Sequence, residues 1–280
     1  MKIFLPLLFL FISSKSFSQP EKSKEIFDKM MVAMKDVKTC SYVLDIQERI
    51  KGTFRYDEYI VKLNSAPYKA YAYSVNPNPG AEGLLIEGEN NNKAYINPNR
   101  FPYITLSLSP YSMLLRKNHQ YTILQLGFNF IHKVFEGYLK KYGNTLYDNL
   151  HLEQDVISKG RIYYQVVIEK NDFHFEDYKV QPGENMVSIG QKLLLNDYMI
   201  LEANPEYKHF DDVKAGDVIK VPSVFGKKII LYVDKVTFLP LVQIIYDNKG
   251  LYGRVEFSSF VLNPNFTEMD FSKNNKKYGF

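Results

Sequence analysis

Residues 40–50 read Cys40-Ser41-Tyr42-Val43-Leu44-Asp45-Ile46-Gln47-Glu48-Arg49-Ile50. Cys40, Tyr42, Leu44, Ile46 and Ile50 fall on one side of an extended chain, and Ser41, Asp45, Gln47 and Arg49 on the other. A period of two with one apolar side belongs to a half-buried antiparallel strand, because successive side chains point to opposite faces. Gly52 then marks a turn, and Tyr56–Leu63 and Tyr68–Tyr73, separated by Ser65-Ala66-Pro67, extend the pattern into a meander.

Upstream, Ile26, Phe27, Met30, Met31, Met34 and Val37 recur at helical spacing, which predicts an amphipathic helix of about 13 residues. Downstream, Asn76-Pro77-Asn78-Pro79-Gly80 is a loop, and Leu84–Ile86 with Lys93–Ile96 reads as a short hairpin. Pro110–Arg116 fits a short helix and Thr122–Tyr142 a longer one stopped by Gly143. Strands follow at 150–157 and 161–169, then at Lys228–Val233, Leu241–Tyr246 and Leu251–Leu262. In the last of these Leu251, Val255, Phe257 and Val261 form the expected inward set. The expected fold is α+β, a large antiparallel sheet with helices on one side, interrupted between residues 170 and 227.

The interruption has its own grammar. Tyr178-Lys179-Val180 is strand-like, Pro182-Gly183 ends it, and Glu184 or Asn185 can cap a helix there. Ser188-Ile189, Ala203-Asn204-Pro205 and Gly216-Asp217-Val218-Ile219-Lys220-Val221-Pro222 complete a strand, two helices and a closing strand. In order and spacing these elements resemble the LysM domain, a βααβ module. The resemblance implies a domain at 178–222 whose two loops bind N-acetylglucosamine-containing glycans, notably peptidoglycan. Carried over by position, the glycan-binding candidates are Gly183, Glu184, Asn185 and Met186 in the first loop and Asn204, Pro205 and Glu206 in the second. Asn185 stands where that family usually has Thr, and Leu194 where a Gly commonly follows the first helix. A βααβ unit brings its ends together, so it can be inserted in a hairpin loop of a host domain.

The host comprises residues 19–177 plus 223–280. Its first helix and strands, Ile230–Asp234, Leu239-Pro240, Ile245-Tyr246-Asp247, Gly250, Asn263-Pro264 and Asp270-Phe271-Ser272 look like the LolA/LolB lipoprotein carriers. That resemblance implies a curved antiparallel half-barrel with an apolar cavity for acyl chains. The sequence's 22 Tyr and 20 Phe could line such a cavity or fill a core, and no lipid-binding residue is singled out.

Composition narrows the function. The 280 residues are 45% apolar and 24% charged, enough for a true core and unlike a disordered chain. A net charge of +4, without a basic run longer than two residues, gives no footprint for nucleic acid. Lys2, the apolar run Ile3–Ile12, and Ser16 and Ser18 make residues 1–18 a secretory signal cut near Ser18/Gln19. Ten apolar residues are too few to span a bilayer, so no transmembrane segment is expected in the mature, periplasmic chain. Cys40, the sole cysteine, suits a buried thiol.

No nucleophile elbow, zinc-helix motif, dinucleotide fingerprint or phosphate loop occurs. His119, His132, His151, His174 and His209 show no ligand spacing, and Glu153 with Asp155 is the one carboxylate pair placed on a shared strand face. The expectation is therefore a cell-envelope protein that is not an enzyme and has no catalytic residue, metal or cofactor. Its partner would be peptidoglycan through 178–222, with a host that can hold a lipid or acyl chain. The alternative is a periplasmic lipid or lipoprotein carrier in which the insert is structural or contacts protein.

Overall fold

The computed structural model describes residues 18–280; the signal expected over residues 1–18 lies, apart from Ser18, outside the described residues. Helix α1 (Gln19–Asp36) begins where the Ser18 N–H donates to the Glu21 carboxylate at 3.0 Å, and it buries Ile26, Phe27, Met30 and Met34. A meander follows: β1 (Thr39–Ile50), β2 (Thr53–Ser65), β3 (Tyr68–Asn76), β4 (Glu82–Ile86), β5 (Ala94–Asn97) and β6 (Leu106–Leu108). The short α2 (Met113–Arg116) leads to α3 (Asn129–Tyr142). After it come β7 (Leu150–Leu152), β8 (Val156–Ser158), β9 (Arg161–Glu169) and β10 (Phe175–Lys179). Helices α4 (Met186–Leu193) and α5 (Asp197–Ala203) precede β11 (Val218–Pro222), β12 (Lys228–Asp234), β13 (Pro240–Asp247) and β14 (Gly250–Leu262).

Twelve strands form one open antiparallel sheet in the order β6-β5-β4-β3-β2-β1-β14-β13-β12-β9-β7, with β8 also on β9. β14 therefore returns to pair with β1, Leu44 opposite Phe257, and joins the two halves of the chain. The result is an α+β half-barrel. Its inward side chains meet α1 and α3, where Phe27 and Phe135 pack edge to face at 5.3 Å.

Residues 170–227 leave the sheet and return at one point: Lys228 stands opposite Glu169, and the Lys170 N–H donates to the Lys227 carbonyl at 2.8 Å. Between them β10 and β11 form a separate two-stranded antiparallel sheet, Phe175 opposite Pro222, with α4 and α5 connecting its strands. Asn185 caps α4 by accepting the Ser188 N–H at 2.8 Å, and Asn196 caps α5 by accepting the Met199 N–H at 3.1 Å.

Three local expectations need correction. The helix expected over Thr122–Tyr142 starts only at Asn129, because Gly127 takes φ +76° and separates it from a 3-10 turn at Ile123–Gln125. The strand expected over 150–157 is two pieces, β7 and β8, both paired with β9, so Glu153 and Asp155 lie in the link between them. In β14, Val261 is 50% exposed and Tyr252 fully buried, against the expected inward set. Extra residues bulge from β14 near Tyr252 and near Ser259, and each bulge reverses which face the following residues take.

Cys40 is fully buried at the start of β1, and desolvation pushes its thiol up to about 12. A thiol-specific disulfide reagent at neutral pH is expected to leave the native protein unmodified and to label one thiol per chain once denaturant unfolds it. Labelling at equal rates in both states would show the start of β1 to be open.

Candidate ligand cavity

Cross-strand register builds the floor of a cavity of about 540 Å³. Ala72 of β3 stands opposite Gly83 of β4, Gly83 opposite Ile96 of β5, and Ile96 opposite Leu106 of β6. Residues directly opposite in antiparallel pairs share a face, so these four form one apolar row across the sheet. The small Ala72 and Gly83 leave the space, and a β-carbon on Gly83 would come within 3.4 Å of the Ile123 side chain above it. The roof is the connection between β6 and α3, with Leu115, Ile123 and Leu126 facing in. Around the mouth Phe101 is 84% exposed, Leu114 69% and Ile104 51%. A cluster of exposed large apolar groups of this kind marks a place where apolar partners or ligands enter.

One end of the cavity is polar. Glu48 and His119 line it, and Asp57 lies beside them. The His119 Nδ1 atom is 3.6 Å from Glu48 Oε2 and 3.4 Å from Asp57 Oδ2. Burial works against the His119 charge, but the two carboxylates outweigh it and hold its pKa above the ordinary imidazole value. Burial pushes the Asp57 carboxyl up; the His119 charge opposes this and the Glu48 charge adds to it.

The turn carrying His119 is held from behind. Arg116 is completely buried and its guanidinium donates to both Asp197 oxygens, at 3.1 and 2.7 Å. The same guanidinium donates to the Gln120 carbonyl at 3.0 Å and sits over the Phe210 ring at 4.5 Å. Gln120 in turn donates from its backbone to Glu48 and from its side chain to the Arg49 and Tyr252 carbonyls. Asp197 and Phe210 lie between β10 and β11, so contacts from that segment reach the cavity's polar end. A second buried cation, Arg49, pairs with Asp247 and reaches Glu202 of α5 at 3.4 Å.

Leu194 completes the docking. It adopts the left-handed conformation, φ 58°, after α4, and its side chain lies on α3 at Gly137. A β-carbon on Gly137 would stand 1.9 Å from Leu194 Cδ1, so only glycine lets this side chain approach.

The glycan-binding candidates fall into two groups. Gly183, Pro205 and Glu206 are exposed. Glu184 accepts from the Tyr178 hydroxyl, the Gln181 N–H and Lys192, whose ammonium holds its carboxyl below the usual range. Asn185 is engaged as the α4 cap and donates to Asp211, and Met186 is fully buried. Asn204 is buried, donating to the Ile200 and Lys220 carbonyls and accepting the Lys220 N–H, which ties the end of α5 to β11. Glu153 lies near Lys228 and His151, while Asp155 pairs with Lys235; both are surface ion pairs.

Sequence reasoning did not bring Glu48, Asp57, Arg116 and His119 together. A signal was present: Glu48 occupies the one charged position in the inward series Cys40, Tyr42, Leu44, Ile46, Ile50.

Replacing Arg116 with Ala would leave Asp197 buried without its partner. The expected cost is about 3–5 kcal/mol in urea unfolding, and a loss under about 1 kcal/mol would show that the pair is not the brace.

No helix of the described residues is long and apolar enough to cross a membrane. No curated protein matches the chain. Among solved structures the chain is similar to MucB at 10% identity and TM-score 0.43, covering 91% of this chain and 63% of that one. A LolA superfamily protein from Nitrosomonas europaea is 12% identical at TM-score 0.35, over 90% of this chain and 98% of the other. The Mycobacterium tuberculosis lipoprotein LppX is 10% identical at TM-score 0.42, over 88% and 98%. With TM-scores below 0.5, these likenesses assign nothing to this chain. Residues 37–180, just over half of the sequence, match the family described as Protein of unknown function (DUF1571), and the chain belongs to that family.

Proposed function

We propose that the protein is a periplasmic carrier that holds a lipid or a lipoprotein acyl chain in the half-barrel cavity, without catalysing a reaction. The observation that carries this reading is the apolar row Ala72–Gly83–Ile96–Leu106 beneath about 540 Å³ of space. That volume lies in the range of small-molecule sites, which combine apolar walls with a few placed polar groups. The exposed Phe101 and Leu114 offer an apolar chain contacts at the mouth. Residues 1–18 supply the export signal that puts such a carrier in the envelope.

The unit at 178–222, read as a LysM-like insert, is proposed to act as a structural brace. Asp197, Phe210 and Leu194 support this by packing on the host. Its resemblance to glycan-binding modules leaves peptidoglycan as the competing partner, through the exposed Gly183, Pro205 and Glu206.

Solvent extraction of freshly purified protein followed by mass spectrometry is expected to yield a bound lipid. Displacement of a fluorescent fatty acid is expected to weaken about tenfold or more in Ala72→Phe, which fills the floor. Lipid-free preparations together with unchanged probe binding in Ala72→Phe would sink the carrier reading.

Co-sedimentation with purified sacculi separates the two roles of the insert. A brace leaves the protein in the supernatant. Pelleting that is lost in Pro205→Ala/Glu206→Ala would make the insert a glycan reader instead.

A further inference from the structure

Glu48 and Asp57 enter the core from the two strands of one hairpin. Asp57 stands opposite Ile46, so Glu48 is its diagonal neighbour on the inward face. Glu48 is 1% and Asp57 5% exposed, and Glu48 Oε2 and Asp57 Oδ2 have no hydrogen-bond partner. A bare carboxylate oxygen in a core is costly, since burial removes water that nothing replaces. His119 does not replace it by hydrogen bonding, because 3.4 and 3.6 Å are too long. No guanidinium satisfies them either: Arg116 is committed to Asp197, and Arg55 makes no ion pair among the described residues.

The spacing that is wrong for hydrogen bonds is right for ligands around an ion. Tetrahedral sites with bonds of about 2.0–2.2 Å place their donor atoms about 3.3–3.6 Å apart. The two imidazole–carboxylate separations, 3.4 and 3.6 Å, fall in that interval, and the three donor atoms all lie within 4.8 Å of one another. We propose that Glu48 Oε2, Asp57 Oδ2 and His119 Nδ1 form a binding site for one divalent transition-metal ion, of which Zn²⁺ is the representative.

The donor set supports that class over others. Ca²⁺ takes six to eight oxygens and Mg²⁺ demands an octahedron that keeps several waters, whereas a mixed imidazole–carboxylate set suits zinc and its neighbours. The site is also supported from outside. The Gln120 N–H donates to Glu48 Oε1 at 3.0 Å, which leaves Oε2 turned to the cluster. The Arg116 pair with Asp197 fixes the turn on which His119 rides. Glu48 and His119 line the cavity, so the position left open by three protein ligands is available to an anionic group entering it.

Full-length mature protein treated with a chelator and exchanged into metal-free buffer would be titrated with ZnCl₂ by calorimetry, with MgCl₂ and CaCl₂ as comparisons. Native mass spectrometry would give the stoichiometry. The expected result is one Zn²⁺ per chain, no saturable Mg²⁺ or Ca²⁺ binding, and affinity lowered at least about tenfold in Glu48→Gln and in His119→Gln. His174→Ala, a change at an exposed histidine outside the cluster, is expected to bind like the parent. Absence of Zn²⁺ binding by the parent, or binding equal in the parent and in both folded cluster variants, overturns the proposal. If a cluster variant fails to fold, anomalous diffraction at the zinc edge from crystals of the parent decides. A peak among Glu48, Asp57 and His119 supports the site, and a peak elsewhere or none refutes it.

Discussion

The Arg116–Asp197 pair holds together parts of the chain that strand pairing alone does not join. Its guanidinium is fully buried, and both carboxylate oxygens accept from it. Buried pairs are poor sources of net stability because desolvation offsets attraction. They specify geometry, however, since neither partner tolerates losing the other. Here the geometry specified is the position of the 178–222 unit against the turn that carries His119. The half-barrel and its insertion therefore meet at the end of the cavity where charge is concentrated.

That arrangement gives the insertion a role that its connections do not reveal. Residues 170–227 leave the sheet between two paired strands, β9 and β12, which would be neighbours with or without them. A unit attached at one point is free to swing unless other contacts hold it. Leu194 against Gly137, Asp197 against Arg116 and Glu202 near Arg49 supply three such contacts. Leu194 is the informative one. A leucine with positive φ is strained, and the contact it gains on α3 accounts for a side chain where a glycine would sit more easily.

Much of the half-barrel was legible because its cause is local. Alternation in residues 40–50 reflects a face that must be buried, and it led directly to β1; the helical stripe through Phe27 and Met30 led in the same way to α1. What escaped was set by neighbours in space. The bulges in β14 depend on how β1 and β13 pair with it, so the inward set at Val261 could not be read from that strand alone. The helix expected from Thr122 fails at Gly127, whose backbone freedom outweighed the apolar spacing. Glu48, Asp57 and His119 converge only after a hairpin forms and a loop far along the chain folds back over it. Glu48 was nonetheless visible as a charge in an apolar series, and such an interruption is the sequence-level mark of a buried polar site. The βααβ order of 178–222 follows from its own turns and caps, whereas its partners on the host have no trace in its sequence.

The open sheet has one further consequence. Twelve strands without closure leave two edges, and an edge with free backbone groups is a template on which another chain can add. Here one edge is β6 and the other is β7 and β8 laid along β9, each only three residues long. Each offers too short a ladder to register a foreign strand, while the long strands β1, β2 and β14 are paired on both sides. The half-barrel can thus stay open along its margins while offering its own kind little on which to polymerise.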